Sequence, residues 1–448
     1  MRAAFLLVGA GLVLGYAALR YGGVAASDWN ICAIALGVLL AIGYLGRDGA
    51  PAPASPLLYC AIFAIPLWAF LQTVPIPAAW VSVLSPERIA LAKPLLRFGP
   101  MPGSLPLSIR PDASLQYAIR YLAFGAAFLI ARDLMWRLPA RPWVIALPPL
   151  AVALAESVIG FMQNAAGSNV VVSGTFVNRD HYSALLEMCL PFAAGAVFIF
   201  APKGIRAVAA CAGAAAAALL LAAIAVTLSR AGFAIALFSL LLLAWIHGAI
   251  RLRGVKRVLT LGGSLLAAVA AAGVLASGGL LDRIGSSVAG DRGFGDRALF
   301  WKETLQVVHA YPLAGCGFGA FSSAVTPYRQ AAVIRTLDYA HNDYLQFLAE
   351  GGIIPFLFAA IVCVIIIRAA LRGVLRAAPL ERRGFAIACS VALLAGMLHS
   401  AVDLITYVPA TGMLLCWIGG MAAGLDFDRG ARRYSGAFYS ETKVGIGR

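Results

Sequence analysis

Charged residues are scarce in this chain of 448 residues: only 12% are Asp, Glu, Lys or Arg, whereas 61% are hydrophobic. A soluble globular domain carries about 25% charged residues, so the composition excludes an ordinary soluble protein. Apolar runs of about 20 residues, enough to cross a bilayer as a helix, recur along the chain. They leave no room for a second soluble domain and predict an all-α polytopic membrane protein.

Patterns that bind metals, cofactors or nucleic acids are also missing. The eight cysteines contain no Cys-x-x-Cys pair, which argues against a disulfide framework and a zinc site. No Asp-x-Asp or His/Asp cluster has metal-ligand spacing, so we expect no metal and no other cofactor. The net charge of +15 forms no basic stripe interleaved with aromatic residues, so nucleic acid is not an expected partner.

Twelve apolar segments are candidate transmembrane helices, at residues 3–20, 29–46, 57–74, 116–135, 143–163, 181–200, 206–227, 231–249, 257–277, 350–371, 384–405 and 407–425. The first is interpreted as a span and not as a signal peptide, because no convincing cleavage site follows it. Lys and Arg concentrate in alternate loops, such as 132–141, 251–257 and 368–383. By the positive-inside rule, both termini are predicted to be cytoplasmic.

The predicted domain organisation is a single transmembrane domain, 1–448, with two long extracytoplasmic loops and a cytoplasmic tail at 426–448. The first loop, 75–115, is rich in proline and is predicted to be an ordered cap without chemistry. The second loop, 278–341, precedes the tenth span and is predicted to be the periplasmic loop that carries the chemistry. Within it we predict a short helix from Arg297 to Ala310, with Asp296 as its N-cap.

Placing ionisable residues within membrane spans costs free energy, so such residues indicate functional sites. Five of them fall in the predicted outer halves of their spans, which indicates a polar pocket open to the extracytoplasmic side: Glu156, Glu187, Glu350, His399 and Asp403. Three clusters face the same compartment. They are GTFVNRDHY at 174–182 with Asn178 and His181, LSRAGF at 228–233 with Arg230, and the stretch 291–352 with Arg297 and His341.

Two arginines and a histidine suit the chemistry of a diphosphate leaving group. Guanidinium groups bind phosphate oxygens bidentately and can stabilise the charge that develops as a diphosphate departs. His341 could deprotonate an attacking hydroxyl or donate a hydrogen bond. Structural roles remain open: Arg230 could contact lipid headgroups or pair with Glu156 or Glu187. Likewise, Arg297 could pair with Asp291 or Glu303, and His341 could cap a helix.

These clusters, together with DRALFWKETLQVVHAYPLAGCGFGAF at 296–321 and AHNDYLQFLAEGG at 340–352, resemble the bacterial O-antigen ligase and polymerase superfamily. The resemblance covers roughly residues 170–355. It implies a GT-C-like membrane glycosyltransferase that acts on the periplasmic face of the inner membrane without a metal ion. It also implies that Arg230 and Arg297 contact the diphosphate and that His341 acts at the reaction centre. Tyr339 departs from the His-x-His-Asn pattern of many members.

The predicted function is inverting transfer of a glycan from undecaprenyl diphosphate to an acceptor hydroxyl, with Arg230, Arg297 and His341 as catalytic residues. Asn178, His181, Asn342 and Glu350 are predicted to bind the substrate. The acceptor is left open between lipid A core, a second lipid-linked glycan and a protein. The alternatives are a transporter or flippase of the lipid-linked glycan, which would place ionisable groups near the midplane, and a structural scaffold.

Overall fold

The structure is a computed structural model, which describes residues 2–45, 52, 55–167, 171–200, 204–251, 254–255, 263, 294–330, 337–376 and 380–427. Almost all of the predicted span 257–277 and nearly the whole tail, from residue 428 on, lie outside these residues. The described part of the chain is almost entirely helical, which confirms the predicted all-α class.

The first ten helices are α1 (Arg2–Leu19), α2 (Ala26–Leu45), α3 (Pro56–Leu71), α4 (Ala78–Leu84), α5 (Pro86–Ala92), α6 (Pro111–Arg137), α7 (Leu147–Ala165), α8 (Arg179–Ile199), α9 (Ile205–Val226) and α10 (Arg230–Arg251). The helices of the C-terminal part are α11 (Phe294–Ala310), α12 (Phe321–Ala324), α13 (Asp343–Gly351), α14 (Ile353–Arg376), α15 (Leu380–Ser400) and α16 (Pro409–Ala423). Two short strands, β1 (Ile76–Pro77) and β2 (Ser104–Leu105), pair antiparallel.

Within the described ranges, nine helices are long and apolar enough to cross a membrane. They are α1, α2, α6, α7 with the 3₁₀ turn before it, α8, α9, α10, α14 and α15, and the apolar helices α3 and α16 are shorter. The structure therefore supports a polytopic membrane protein. The total of twelve spans stays a prediction, because the segment 257–277 is not described.

Small residues let the spanning helices pack closely, as is common in membrane bundles. A Cβ atom added at Gly420 of α16 would lie 2.2 Å from the backbone oxygen of Phe128 in α6. At Gly213 of α9 it would lie 2.7 Å from the oxygen of Ala193 in α8. Helix α8 is the most enclosed span, with its residues from Tyr182 to Ala196 buried. The polar residues that α8 carries at its N-terminal end are therefore held by neighbours on several sides.

Residues 72–110 form a cap segment at the end of the bundle where α3 ends and α6 begins. Gln72 anchors it: its Nε2 donates to the carbonyls of Ala314, at 2.6 Å, and Glu350, at 2.9 Å. Its Oε1 accepts from the backbone N–H of Phe318 at 3.2 Å. The cap segment thus packs on the Gly-rich loop between α11 and α12.

The helix boundaries test one local prediction and show a break between two helices. Helix α11 begins at Phe294, so Asp296 lies inside the helix, and the prediction that Asp296 is its N-cap is wrong. The chain also breaks at Gly351 and Gly352, since α13 ends at Gly351 and α14 begins at Ile353. Gly352 has φ +76°, and a Cβ atom there would lie 2.2 Å from the backbone oxygen of Leu313. Only glycine fits this break between the two helices.

Candidate active site

One buried carboxylate, that of Asp403 in the turn between α15 and α16, lies at the centre of the candidate site. Its side chain is fully buried, and its Oδ1 is 2.9 Å from Nδ1 of His341. Its Oδ2 accepts from Nη2 of Arg297 at 3.2 Å. Nε2 of His181 lies 3.8 Å from Oδ1. Three residues that are distant in the sequence therefore meet at one acid.

The charge state of Asp403 follows from these neighbours. Burial opposes ionisation, but the interactions with His181 and His341 outweigh it and hold the pKa of this carboxyl well below its usual range. The backbone N–H of Leu404 also donates to Oδ1, at 2.9 Å. Asp403 is therefore an anion that can orient a histidine and hold a guanidinium group.

His341 is held in a defined orientation just before α13. Its backbone has φ +49°, a left-handed conformation that is uncommon for a residue with a side chain. Its ring stacks on Phe300 of α11, with centroids 6.2 Å apart. With Nδ1–H donating to Asp403, the neutral ring carries its basic lone pair on Nε2. The side chain remains one-third exposed, so Nε2 can meet a substrate.

Arg297 lies on the first turns of α11 and bridges two carboxylates. Besides Asp403, its Nη2 lies 3.6 Å from Oδ2 of Asp180. The predicted alternative pairing with Glu303 does not occur, because Glu303 contacts Arg329 at 3.6 Å; Asp291 lies outside the described residues. A guanidinium group has five N–H donors, so Arg297 can hold both acids and still donate to a phosphate.

The cluster at the start of α8 joins the LSRAGF turn to the same network. Oδ1 of Asp180 accepts from Ser229 Oγ at 2.6 Å, while its Oδ2 faces Arg297. Ser229 directly precedes Arg230, which is the first residue of α10 and has an exposed side chain. Leu228 has φ +57°, so this turn, like the one at His341, contains a strained residue. Asp180 thus links the turn that bears Arg230 with Arg297.

The two asparagines among the predicted substrate-binding residues occupy helix caps. Asn178 is the N-cap of α8 and accepts from the N–H of Asp180 at 2.8 Å. Asn342 is the N-cap of α13; it accepts from Leu345 N at 3.0 Å and donates to the carbonyl of Ala401 at 2.9 Å. The bond of Asn178 fixes Asp180 within the site. The bonds of Asn342 fix the residue before it, His341.

Glu350, the fourth predicted substrate-binding residue, is buried behind the site. Its carboxyl accepts from Tyr407 Oη at 2.8 Å, from Gln346 Nε2 at 3.0 Å and from Phe321 N at 3.3 Å. Burial raises its pKa to about 7, against the opposing effect of these hydrogen bonds. These contacts connect α13 to the Gly-rich loop and to the turn that carries Asp403.

Asp343 and Arg120 stabilise the turn that carries Asp403. Neither residue was among those predicted from the sequence. Asp343 Oδ2 accepts from Ser400 Oγ, Ile405 N and Thr406 N, at 2.8, 2.9 and 3.0 Å. Arg120, buried in α6, donates to the carbonyl of Tyr407 at 2.9 Å. An arginine inside a span is itself a sign of function, so Arg120 could have been selected from the sequence. The signal for Asp343 was weaker, since an Asp in the first helical turn is common.

The other ionisable residues predicted for the pocket lie deeper in the bundle and pair elsewhere. His399 Nδ1 is 2.9 Å from Glu187 Oε1, with both side chains fully buried between α15 and α8. Glu156 accepts from Thr175, at 3.0 Å from its N–H and 2.6 Å from its hydroxyl. These pairs support the helix ends on which the site residues lie.

The arrangement combines a histidine oriented by a carboxylate with cationic groups, all at one end of the bundle. In the part of the chain that the structure describes, no group of three or more His, Cys, Asp or Glu could hold a metal ion. The donor set present is suited to proton transfer at His341 Nε2 and to binding of anionic oxygens by guanidinium groups.

A comparison with protein families adds independent information. The family model described as O-Antigen ligase matches residues 215–360. Over these residues the chain is similar to the O-antigen ligase family. The match includes Arg230, Arg297 and His341 and confirms the resemblance to the O-antigen ligase and polymerase superfamily; Asp180 and Asp403 lie outside it. It supports glycan transfer of the ligase or polymerase type by a membrane enzyme. No curated protein matches the chain.

Proposed function

We propose that this protein transfers a glycan from undecaprenyl diphosphate to an acceptor hydroxyl, in one inverting and metal-independent step. The acceptor classes are lipid A core, a second lipid-linked glycan or a protein. The observation that carries the proposal is the contact of His341 and Arg297 with the two oxygens of Asp403, at 2.9 and 3.2 Å. The contact supports a role for His341 as the general base and for Arg297 as a phosphate-binding cation; both residues lie within the region that the O-Antigen ligase model matches.

In the proposed reaction, the acceptor oxygen attacks the anomeric carbon of the donor glycan. A new C–O bond forms there while the bond between the anomeric carbon and the diphosphate oxygen breaks. The acceptor proton moves to Nε2 of His341, and the diphosphate leaves with the bonding electron pair. Because Asp403 accepts the Nδ1 proton, it keeps the imidazole in the tautomer that can act as a base and stabilises the imidazolium that forms.

Arg230 and Arg297 are proposed to bind the diphosphate and to stabilise the charge that develops on it. Arg297 is partly neutralised by Asp403 and Asp180, so Arg230 supplies the additional positive charge that a diphosphate requires. The hydrogen bond from Ser229 to Asp180 sets the turn before Arg230 relative to Arg297. A separation set in this way suits a ligand with two phosphate groups.

The remaining predicted site residues are proposed either to contact the substrate or to shape the site. His181 faces Asp403 and is only partly buried, which suits direct contact with the substrate. Asn178 and Asn342 are proposed to shape the backbone around Asp180 and His341. Glu350 is proposed to position the Gly-rich loop, because the residue is only 1% exposed and cannot reach a substrate in this conformation.

The proposed location is the bacterial inner membrane, with cytoplasmic termini and a periplasmic active site. Support comes from the arginines at the opposite end of the bundle. Arg206 pairs with Glu381 at 3.2 Å there, and Arg382 donates to the carbonyl of Leu425 at 3.2 Å. An end rich in arginine is typical of the cytoplasmic side.

The test is a transfer assay with the purified full-length chain in detergent and EDTA. The protein receives lipid-linked repeat units with and without lipid A core, and the products are separated on a gel. A ladder without core indicates a polymerase, and glycan on core alone indicates a ligase. Translocation of the lipid-linked glycan across vesicles, without any transfer product, would instead favour a flippase.

His341→Ala and Arg230→Ala should each lose transfer while inserting normally, because one removes the base and the other a diphosphate contact. A loss of roughly 10²-fold or more is expected for the base. His309→Ala is the matched control, since His309 is exposed on α11 and should keep full activity. Full activity in either site variant would refute its assignment.

A further inference from the structure

The cap segment has five large apolar side chains that are exposed. Trp80, Val83, Leu91, Leu96 and Phe98 are 66, 72, 46, 50 and 89% exposed. They lie on α4, on α5 and in the turns directly after α5. Grouped exposure of this kind is rare on a protein surface that faces water and marks an interaction surface.

Other side chains of the same segment are well packed. Val81 and Ala92 are buried together with Leu105 and Leu107 against Ala314 of the Gly-rich loop. The backbone is also fixed, since Ala78 N donates to Gly103 O at 3.0 Å and β1 pairs with β2. The exposed apolar side chains are therefore attached to an ordered backbone whose other side chains are packed.

Apolar exposure continues along the chain from the cap segment into α3. Helix α3, which leads into the cap segment, exposes Leu67, Phe70 and Leu71 by 55, 47 and 44% along an apolar span. Val74 extends this surface past the helix end. Because the cap segment connects α3 to α6, both of its ends join apolar helices.

The exposed residue types are those of a membrane interface. Tryptophan is enriched at the level of the lipid headgroups, and basic side chains contact headgroup phosphates while apolar neighbours enter the acyl region. Lys93 and Arg97 are exposed beside Leu96 and Phe98 in the same turns. A charge arrangement of this kind matches an anionic lipid surface.

We propose that the cap segment is an interfacial membrane element: Trp80, Val83, Leu91, Leu96 and Phe98 insert into the leaflet at the active-site end of the bundle. Lys93 and Arg97 then lie at the level of the headgroup phosphates. Since the buried side chains of the segment pack on Ala314, and Gln72 binds the carbonyls of Ala314 and Glu350, the segment ties the Gly-rich loop to the bilayer surface. This proposal does not depend on the reaction that the protein catalyses.

The test uses the full-length chain in lipid nanodiscs that hold one copy each. Cys60, Cys211 and Cys363, the exposed cysteines, are replaced by alanine, and a bimane label is attached to Val83→Cys or Phe98→Cys. Brominated phosphatidylcholine should quench both labels strongly, aqueous iodide should quench them weakly, and their emission should shift to the blue. Ser323→Cys is the control, because Ser323 is exposed on α12 near the Gly-rich loop. Its label should show the reverse pattern.

Iodide quenching of the labels at 83 and 98 that equals the control, with no effect of brominated lipid, would overturn the proposal. Protection that appears only when two copies share a nanodisc would also overturn it, since the partner would then be a second chain. A thermal unfolding curve for each labelled protein establishes that the cap segment is folded, so that loss of protection cannot be attributed to misfolding.

Discussion

At the scale of single residues, Asp403 makes the contacts that define the candidate site. His341 and Arg297 lie on different elements, and each contacts a different oxygen of this carboxylate, at 2.9 and 3.2 Å. An acid that orients a histidine base and neutralises its positive form is a common catalytic arrangement. The sequence showed Asp403 only as an ionisable residue near the end of a span.

We therefore predict that Asp403→Asn lowers transfer by roughly 10²–10⁴-fold, because the amide neither stabilises the imidazolium nor favours the correct tautomer. The measurement is the rate of transfer at saturating donor, together with its pH profile. Asp112→Asn is the control, since Asp112 forms an exposed ion pair with Arg110. If Asp403→Asn kept the rate and pH profile of the wild type, Asp403 would have no role in positioning His341.

Glu350 gives a prediction about pH and stability. Burial raises its pKa from 4.5 to about 7 in the folded chain. Between these two values the folded chain binds a proton that the unfolded chain does not, so the free energy of unfolding falls as pH rises. Asp343, whose pKa burial raises to about 6, acts in the same direction.

Glu350→Gln should therefore be more stable than the wild type at pH 8, by on the order of 1–3 kcal/mol, and lose this advantage near pH 5. The glutamine resembles the protonated acid and carries no charge that burial disfavours. Thermal unfolding in detergent at several pH values measures the difference. Glu87→Gln, a change at an exposed position, should shift the curve by the same small amount at each pH. A stability difference for Glu350→Gln that did not grow with pH would contradict the expectation.

At the scale of elements, the break between α13 and α14 determines where α13 lies relative to the candidate site. Gly352 takes φ +76° and ψ −174°, a region that essentially only glycine adopts. Its N–H donates to Leu348 O at 2.9 Å, and the next residue donates to Pro312 O at 3.0 Å. The break therefore holds α13, with His341 just before it, against the loop after α11.

Gly352→Ala should destabilise the protein by roughly 2–4 kcal/mol, because the added Cβ atom meets a backbone oxygen that cannot move alone. Gly103→Ala is the matched control, as a Cβ atom there has open space. The midpoint of thermal unfolding compares the two variants. Equal midpoints would mean that the chain accommodates the break without glycine.

At the scale of the whole molecule, alternating helices bring the site residues to one end. Asp180 and Arg230 lie at the N-terminal ends of α8 and α10, and Asp403 follows the C-terminal end of α15, although each is 50 or more positions from the next. Trp143 and Arg206 contact Glu381 at the other end. The candidate site and the arginine-rich loops thus lie at opposite ends of the bundle.

The orientation predicts the labelling of cysteines by a maleimide that cannot cross membranes. In the background that lacks Cys60, Cys211 and Cys363, Ser323→Cys should react in intact cells from the periplasmic side. Arg206→Cys should react only after lysis, because the positive-inside rule places it in the cytoplasm. The opposite pattern would show that the topology is the reverse of the proposed one. The background without an introduced cysteine is the unlabelled control.

The sequence by itself determined the membrane class, the positions of the described spans and the set His341, Arg230 and Arg297 as candidates. Hydropathy and local motifs suffice for these features because each depends on neighbours along the chain. Only the tertiary structure showed that Asp403 and Asp180 join the clusters, and that Asn178, Asn342 and Glu350 make bonds within the protein. Hydrogen bonds between residues such as Arg297 and Asp403, 106 positions apart, depend on how helices pack. Helix packing is set by the shapes of distant side chains, which local pattern does not encode.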